Sequence, residues 1–297
     1  MNDLPAILAF FDEPTNTASY LVADRATGTA AVIDPVLDYD PASARIGSGS
    51  VEAILAAAQA HGWRIAMVLE THAHADHLTG AKLIAARTGA WIGIGAHITA
   101  VQAVFAPMFG ADDLQPGGAD FDRLLQDGET IPLGNLAFTV MHTPGHTEAC
   151  VSYRIADAVF VGDTLFMPDY GTARCDFPGG DAHALHRSIR RLLALPDETR
   201  MFLCHDYKGP GRTDFVWETS VGAQRRANVQ AHDGIDEEAF AAMRLARDAG
   251  LAPPRLLLPS IQVNIRGGRM PPGDGGMGPA LRLPLRAGDP LAAILLS

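Results

Sequence analysis

The sequence contains few cysteines, few basic residues and no long apolar run. Its three cysteines, Cys150, Cys175 and Cys204, are odd in number and widely spaced, which argues against a disulfide framework and favours a reducing compartment. Lys and Arg total 23 against 34 Asp and Glu, so the net charge is −11, and no run of five or six basic residues occurs. Such a surface is a poor partner for nucleic acid and for anionic membranes.

Two further absences concern the location of the protein. No stretch approaches the roughly 20 apolar residues that a membrane-spanning helix requires. The first sixteen residues lack the basic start and the small-residue cleavage site of a signal peptide. We therefore expect a cytoplasmic protein, for which a homodimer is the default assembly.

Apolar runs alternate along the chain with helical segments, and this alternation predicts an α/β layered domain. A hairpin is predicted first, with two strands joined at Gly28. Strands are predicted over Ala18–Asp24, Thr29–Asp34, Ile65–Leu69, Trp91–Ile94, Leu136–Met141, Cys150–Ile155, Ala158–Val161 and Met201–Cys204, with a late edge strand over Ala280–Leu285. Helices are predicted over Val51–His61, Leu78–Thr88, Ile98–Phe105, from Asp181 to about Leu195, Trp217–Asn228 and Asp236–Ala249. Ser50 is the predicted N-cap of the first of these helices, and Asp181 is the predicted N-cap of the fourth. We predict a catalytic domain over residues 1–215 and a C-terminal helical, Gly/Pro-rich extension over residues 216–297 that packs on the same domain.

Four apolar runs end in side chains of the kind that binds metal. His72 follows the run that begins at Ile65, His146 follows Leu136–Met141, Asp163 follows Ala158–Val161, and His205 follows Met201–Cys204. Strand ends at one edge of a sheet lie close together, and layered α/β proteins usually build their sites there.

The loop after Leu69 offers up to four of these ligands. His72 and His74 are two residues apart, so their imidazoles leave an extended segment on the same side, whereas Asp76 and His77 are expected at the start of the next helix. One such histidine is ordinarily a solvated loop residue, but four ligand-type residues in six positions indicate a metal site. Imidazole and carboxylate suit Zn, Fe or Mn, and without a cysteine in this cluster we expect no purely structural zinc site of the thiolate type.

These motifs resemble those of the metallo-β-lactamase fold superfamily over about residues 17–207. The motifs are His72-Ala-His-Ala-Asp-His77, Thr143-Pro-Gly-His146, Gly162-Asp163 and Cys204-His-Asp-Tyr207. The resemblance implies an αββα four-layer sandwich. Within the superfamily, Arg174-Cys-Asp-Phe177 is similar to the corresponding segment of the persulfide dioxygenases, also called sulfur dioxygenases. That family implies a non-haem Fe(II), one per chain, that oxidises glutathione persulfide with O2 to sulfite and glutathione in sulfide detoxification.

The resemblance implies iron ligands at His72, His146 and Asp163, a facial triad that leaves open positions on the metal. The remaining residues of the motifs would form a second metal site or hydrogen-bond to the first, and they are His74, Asp76, His77 and His205. Three residues are candidates for contacting the substrate: Arg174, Asp176 and Tyr207. Arg174 would clamp a substrate carboxylate, and Asp176 would orient the groups around the metal.

A hydrolase similar to glyoxalase II is the alternative function. In that scheme His72, His74 and His146 bind one zinc ion, while Asp76, His77 and His205 bind a second, with Asp163 between them. Two zinc ions would activate a water and polarise a thioester carbonyl. A metal-binding or redox-sensing protein without catalysis is a third possibility.

The sequence departs from the persulfide dioxygenases in three segments. Cys175 stands where the family usually has threonine, and the loops 37–50 and 109–120 are longer than in compact members. Because these loops are expected to border the substrate mouth, another low-molecular-weight persulfide is an alternative to glutathione persulfide. The segment Pro259–Gly267 is similar to that of a bacterial subgroup of β-lactamase-like hydrolases.

Overall fold

A computed structural model describes residues 4–114 and 117–285 of the chain. The strands are β1 (Ala6–Asp12), β2 (Thr17–Asp24), β3 (Thr29–Ile33), β4 (Val36–Leu37), β5 (Tyr39–Asp40), β6 (Arg45–Ile46), β7 (Arg64–Glu70), β8 (Leu78–Thr79), β9 (Trp91–Gly95), β10 (Arg123–Leu125), β11 (Thr130–Leu133), β12 (Leu136–His142), β13 (Val151–Ile155), β14 (Ala158–Phe160), β15 (Arg200–Phe202) and β16 (Glu218–Ser220). The helices are α1 (Gly49–Ala60), α2 (Ala81–Thr88), α3 (Ile98–Phe109), α4 (Ala182–Leu193), α5 (Val221–Ala227), α6 (Glu237–Asp248) and α7 (Leu257–Asn264), and a 3₁₀ turn spans Asp274–Gly276.

Two six-stranded sheets form the middle of the molecule. The first sheet has the order β1-β2-β3-β7-β9-β10, and the second has the order β11-β12-β13-β14-β15-β16. The predicted hairpin is present as the antiparallel pair β2 and β3. Every residue of β2 is buried, because both faces of the first sheet are covered.

Three apolar clusters separate the layers. Tyr20 and Leu69 of the first sheet meet Phe138 and Tyr153 of the second sheet in the central cluster. The opposite face of the first sheet packs against α1, α2, α3 and α7, and that of the second sheet packs against α4 and α6. The architecture is therefore the expected αββα sandwich, because near-continuous apolar strands such as β2 give a sheet two faces to bury.

Several predicted elements are wrong at their ends. Ser50 is not the N-cap of α1; the helix begins at Gly49, and the carboxylate of Asp38 accepts hydrogen bonds from the Gly49 and Ser50 amides. The loop from Thr71 to His77, here called the metal loop, leads into the short strand β8 rather than directly into a helix, because Leu78 and Thr79 pair with β4. Trp217 precedes the strand β16, which completes the second sheet before α5 starts.

The C-terminal part also differs from the expectation. Described residues 280–285 form no strand, whereas the unexpected helix α7 contacts β8 and α3. Helix α6 packs on α4 and lies within the predicted helix over Asp236–Ala249, with Asp236 as its N-cap. The division of the chain at residue 215 stays a prediction. Among the described helices, none has the length and apolar character needed to cross a membrane.

Candidate metal centre

Two backbone connections bring the loops of the two sheets together at one edge. The amide of Ala18 donates to the carbonyl of Cys204 at 2.7 Å, and the amide of Val151 donates to the carbonyl of Thr71 at 2.9 Å. The ends of β7, β12, β14 and β15 therefore meet there, as the sequence predicts.

His72, His146 and Asp163 converge at this edge and are buried. The Oδ2 atom of Asp163 lies 3.9 Å from Nε2 of His72 and 3.7 Å from Nε2 of His146. Ligand atoms that are each about 2.1 Å from one ion lie no more than about 4.2 Å apart. The three atoms are thus spaced to share an ion, and each side chain comes from a different strand end.

A fixed hydrogen bond on one ring nitrogen leaves the other ring nitrogen of each histidine free for a metal. Nδ1 of His146 donates to the carbonyl of Arg174 at 2.8 Å, and Nδ1 of His205 donates to the carbonyl of Asn16 at 3.0 Å. Nδ1 of His72 lies 3.0 Å from the hydroxyl of Thr71. Such bonds fix the tautomer and the ring orientation of metal-binding histidines.

The remaining motif residues form a second group next to the first. Nε2 of His205 is 3.1 Å from Oδ2 of Asp76 and 3.2 Å from Oδ1 of Asp163. The ligand atoms of His74, Asp76 and His77 also lie within 4.8 Å of one another. One carboxylate oxygen of Asp163 faces the first group of ligand-type side chains and the other oxygen faces the second group. The geometry therefore accommodates either one ion or two ions bridged by Asp163.

Two buried carboxylates contact one ring nitrogen of His74. Its Nε2 atom lies 3.0 Å from Oδ1 of Asp34 and 3.4 Å from Oε2 of Glu70. Asp34 has a positive φ of 48° and also accepts from the amide and hydroxyl of Thr71. Burial opposes the charged form of His74, but these carboxylates outweigh it and raise its pKa well above the ordinary value.

Unpaired buried atoms are the test of whether these residues fit a metal. Among the described residues, buried atoms without a hydrogen-bond partner include Nε2 of His72, Nδ1 of His74, Oδ2 of Asp76, Nε2 of His77, Oδ1 of Asp163 and Nε2 of His205. Native proteins rarely leave such atoms unsatisfied, and here they face one another. The donor set of imidazole and carboxylate therefore fits a divalent transition metal.

The thiol of Cys204 lies beside the ligand-type side chains. Its sulfur is within 4.8 Å of a ring nitrogen of His74 and of a ring nitrogen of His205. Burial raises the pKa of this thiol, which disfavours the thiolate form that binds metal.

The loop that carries His146 depends on a glycine. Gly145 has a φ of 139°, and a Cβ atom there would lie 2.3 Å from the backbone of Leu185. A larger residue would push the loop away from α4. Gly145 thus sets the distance of His146 from the other strand ends.

The predicted substrate residues lie at the same edge, but two of them bind each other. The guanidinium of Arg174 donates to both carboxylate oxygens of Asp176 at 2.6 Å, and it also donates to the carbonyl of Ala252. Tyr207 stands beside His205, with ring centroids 5.6 Å apart. A substrate clamp by Arg174 stays a prediction, and Asp176 acts on Arg174 in this structure.

A buried ion pair of α6 supports the loop 172–176, a contact that the sequence analysis missed. Arg244 and Asp248 are 1% and 4% exposed and are paired through Oδ1 of Asp248. The other oxygen of Asp248 accepts from the amide of Cys175 at 2.8 Å, and Arg244 donates to the carbonyl of Thr172 at 3.2 Å. Because the carbonyl of Arg174 orients His146, this pair supports the metal site from outside.

Asn264 at the end of α7 supports the metal loop and was also missed. Its amide nitrogen donates to the carbonyls of His74 and His77, both at 2.8 Å, and its oxygen accepts from the amide of Thr79 at 2.9 Å. No metal-type residue lies near it in sequence. The only indication was that Pro259–Gly267 resembles a bacterial subgroup.

Replacing Asn264 with aspartate should loosen the metal loop. The carboxylate keeps the acceptor for Thr79 but faces two carbonyl oxygens without a donor, and each buried group left unsatisfied costs roughly 1–3 kcal/mol. We expect Asn264→Asp to lower the free energy of unfolding by about 2 kcal/mol and metal affinity about tenfold. Urea unfolding and competition with a chelator measure the two effects. The exposed residue Asn135 provides the control, Asn135→Asp, and equal results for both variants would contradict the prediction.

All three cysteines are buried, and this predicts low reactivity. Burial raises the pKa of Cys150 to about 12, so at pH 8 its thiolate is far rarer than that of a free cysteine. We expect native protein at pH 8 to resist iodoacetamide, whereas protein unfolded in guanidinium takes up one label on each of Cys150, Cys175 and Cys204. Mass spectrometry counts the labels. Rapid labelling of Cys175 in the native protein would instead indicate a reactive thiol at the site.

A cavity of about 430 Å³ opens onto the metal ligands. Asp76, His146 and Asp163 lie at its base, and Phe166 and Tyr207 are among the aromatic residues of its wall. Arg247 and Arg255, which lie beyond the metal motifs in sequence, line its mouth. The cavity is therefore built by both the motif-bearing part of the chain and the C-terminal part.

Comparison with known proteins identifies relatives over most of the chain. The chain is 50% identical over 290 residues to "Probable metallo-hydrolase BURPS1710b_2304" of Burkholderia pseudomallei, covering 94% of this chain and 98% of the relative. It is 37% identical to the hydroxyacylglutathione hydrolase of Rhodospirillum rubrum, covering 65% of this chain and 64% of the relative. It is 30% identical to the mitochondrial persulfide dioxygenase ETHE1 of Homo sapiens, covering 69% and 70%.

Solved structures agree with the sequence relatives. The structure of ETHE1 from Myxococcus xanthus superposes with a TM-score of 0.71 at 29% identity, covering 89% of this chain and 100% of that chain. The family model of the "Metallo-beta-lactamase superfamily" matches residues 12–205, which include every predicted metal ligand. On its fold, its convergent histidine and aspartate side chains and these matches, the chain belongs to the metallo-beta-lactamase superfamily.

Proposed function

We propose that this protein is a non-haem Fe(II) persulfide dioxygenase that acts in sulfide detoxification. It would bind one iron per chain through His72, His146 and Asp163. Its substrates would be O2 and glutathione persulfide or a related low-molecular-weight persulfide. With one water, the reaction yields sulfite, the free thiol and two protons, and the outer sulfur gives four electrons to O2.

The placement of Arg174-Cys-Asp-Phe177 against His146 is the observation that carries this proposal. The carbonyl of Arg174 accepts from Nδ1 of His146, and the ring of Phe177 meets the His146 ring edge to face at 5.3 Å between centroids. This segment resembles the persulfide dioxygenases, and the similarity to ETHE1 structures and sequences supports the same assignment.

The donor set suits iron in this role. Two imidazoles and one carboxylate on one face of Fe(II) leave open positions for other ligands. Bound there, iron would supply the redox chemistry that joins O2 to the persulfide sulfur. The protein then has to hold the substrate, exclude water and keep the ligands in place.

The chain's own residues are suited to those tasks. Phe166, Tyr170 and Tyr207 form an aromatic wall beside the ligands, with the Phe166 and Tyr207 rings 5.6 Å apart. Apolar walls exclude water and strengthen electrostatic interactions inside the cavity. The hydroxyl of Tyr207 makes no hydrogen bond to another described side chain, so it can donate to a bound substrate.

A dinuclear zinc hydrolase that acts on a thioester is the second candidate. The observation that favours it is Asp163, whose two oxygens face the two groups of ligand-type side chains. The similarity to hydroxyacylglutathione hydrolase points the same way. In that function two zinc ions held by the two groups would activate a water and polarise the thioester carbonyl, and the aromatic wall would hold the thiol part of the substrate.

Metal analysis of anaerobically purified protein, followed by O2 uptake on the same sample, separates the two candidates. We expect about one iron per chain and O2 consumption that requires glutathione persulfide, with one sulfite formed for each O2. Two zinc ions, no uptake and hydrolysis of S-lactoylglutathione would overturn the dioxygenase. Iron-loaded and zinc-loaded samples of the same apoprotein serve as matched controls.

We also propose that the protein works in the cytoplasm as a homodimer, with no nucleic-acid or membrane partner. The net charge of −11 supports the last part of this proposal. Light scattering would measure the assembly.

A further inference from the structure

A second cavity adjoins the metal cavity and has no role in the chemistry described so far. Its volume is about 1230 Å³, above the range of roughly 300–1,000 Å³ that is usual for small-molecule sites. It shares five lining residues with the metal cavity: Arg174, Phe177, Leu251, Pro254 and Arg255. The two cavities are therefore contiguous, and the shared residues mark their junction.

The wall of this cavity is mainly apolar. Six residues define what we call the apolar groove: Ile46 of β6, Phe105 and Phe109 of α3, Leu257 and Leu258 of α7, and Leu283. Ile46 and Leu283 are 47% and 66% exposed, so apolar side chains face water here. Contiguous exposed apolar surface of this kind commonly marks a binding site.

The position of the groove indicates what binds there. A molecule whose reacting sulfur lies at the metal ligands must extend either to bulk water or through the junction into the groove. Glutathione is polar and would leave the groove hydrated. An apolar arm would instead remove both its own surface and the groove surface from water, which favours binding.

The geometry points to a persulfide whose thiol carrier has an apolar arm, an alkyl chain or an apolar ring system, that lies in the groove while the outer sulfur lies at the metal site. This inference rests on the proposed function. It also gives the longer loops 37–50 and 109–120 a role, because Ile46 and Phe109 at these loops contribute to the groove. Arg255 at the junction has no described carboxylate within ion-pairing distance and suits an anionic group of the carrier.

Calorimetric binding tests the groove without requiring turnover. The probes are butylthioacetic acid and octylthioacetic acid, thioethers that have neither an outer sulfur nor a thioester and so do not react. Burial of a methylene is worth about fourfold in affinity, so we expect the octyl probe to bind the metal-loaded enzyme at least about tenfold more tightly. Its binding should also show a more negative heat-capacity change, the marker of apolar burial.

Two charge substitutions locate the binding. We expect Ile46→Asp combined with Leu283→Asp to lower affinity for the octyl probe about tenfold, because the arm would then meet two carboxylates. The single variant Leu283→Asp should lower it by less. Leu245→Asp is the matched control, since Leu245 is 59% exposed on α6 and lies outside both cavities, and it should leave the ratio of octyl to butyl affinity unchanged.

Failure of this inference is distinct from failure of the proposed function. Persulfide oxidation combined with equal affinity for the two probes would overturn the apolar arm alone. The apolar arm would likewise be overturned if the octyl probe binds more tightly than the butyl probe only after deletion of residues 286–297, because that tail would then be the occupant of the groove. The apolar arm would also be overturned if Ile46→Asp combined with Leu283→Asp dissociates a dimer and leaves the affinity for the octyl probe unchanged. If the enzyme cleaves thioesters and binds the octyl probe more tightly than the butyl probe, the groove would bind the apolar arm of a thioester substrate and not that of a persulfide.

Discussion

Replacing His146 with alanine should remove the metal and, with it, the turnover. His146 is 4% exposed and would supply one of the three proposed ligand atoms, so the remaining pair, His72 and Asp163, would hold the ion less strongly. Loss of only a hydrogen-bond partner of a ligand costs about 10–100-fold in metal affinity or activity, so loss of the ligand should exceed a hundredfold. Metal content by mass spectrometry and O2 uptake measure the two effects.

His142→Ala is the matched control. This histidine precedes the same loop, stacks on His97 with ring centroids 4.3 Å apart, and bonds through Nε2 to the carbonyl of Glu148. It therefore lies outside the metal site, and its removal should leave metal content unchanged. Full turnover by His146→Ala would contradict the ligand assignment. Metal loss from His146→Ala, combined with no turnover by the metal-loaded unsubstituted protein, would favour a metal sensor.

Replacing Asp248 with alanine should have the largest effect on folding stability. The change leaves the guanidinium of Arg244 buried without its carboxylate and removes the acceptor of the Cys175 amide. Breaking a buried ion pair at one partner typically costs about 3–5 kcal/mol, because the remaining charge is uncompensated. We expect a loss of about 3 kcal/mol in the free energy of unfolding, measured in urea at pH 7.

The same substitution should weaken the metal site, because the loop 172–176 positions His146. A purely structural role would lower stability alone, whereas a positioning role also lowers metal affinity in samples that remain folded. The double variant Arg244→Met with Asp248→Leu removes both charges and should recover part of the stability but not the metal affinity. Asp233→Ala breaks two surface pairs, with Arg225 and with Arg190, and each should cost no more than about 1 kcal/mol. If Asp248→Ala behaved like this control, the ion pair would have no supporting role.

Much of the fold follows from local sequence signals. The hairpin at Gly28, the strands before His72 and Asp163, and the N-cap Asp181 are as predicted, since each depends on residues close in sequence. The errors fall where a partner distant in sequence decides the local structure. Leu78 and Thr79 are extended because they pair with β4, and α1 starts at Gly49 because Asp38 binds its first amides.

The candidate metal ligands were recognisable in the sequence for a related reason. Metal ligands must be particular side chains at strand ends, so their types and spacing are visible in the chain, and the resemblance of the motifs assigns their roles. Arg174 and Asp176 illustrate the limit. Their types suggested contact with substrate and metal shell, but the structure pairs their side chains with each other, and the contact with His146 is made by the backbone carbonyl of Arg174.

The sequence by itself indicated the α/β fold class, because periodicity is a property of short segments. It also contains the ligand-type motifs whose resemblance to known proteins identified the superfamily. Only the tertiary structure decided what surrounds the metal site. Asn264 reaches His74 across 190 positions, and Asp248 reaches Cys175 across 73. The apolar groove likewise joins β6, α3, α7 and Leu283 from distant parts of the chain. Such contacts depend on how helices pack on a completed sheet, and no local pattern of residues encodes that packing.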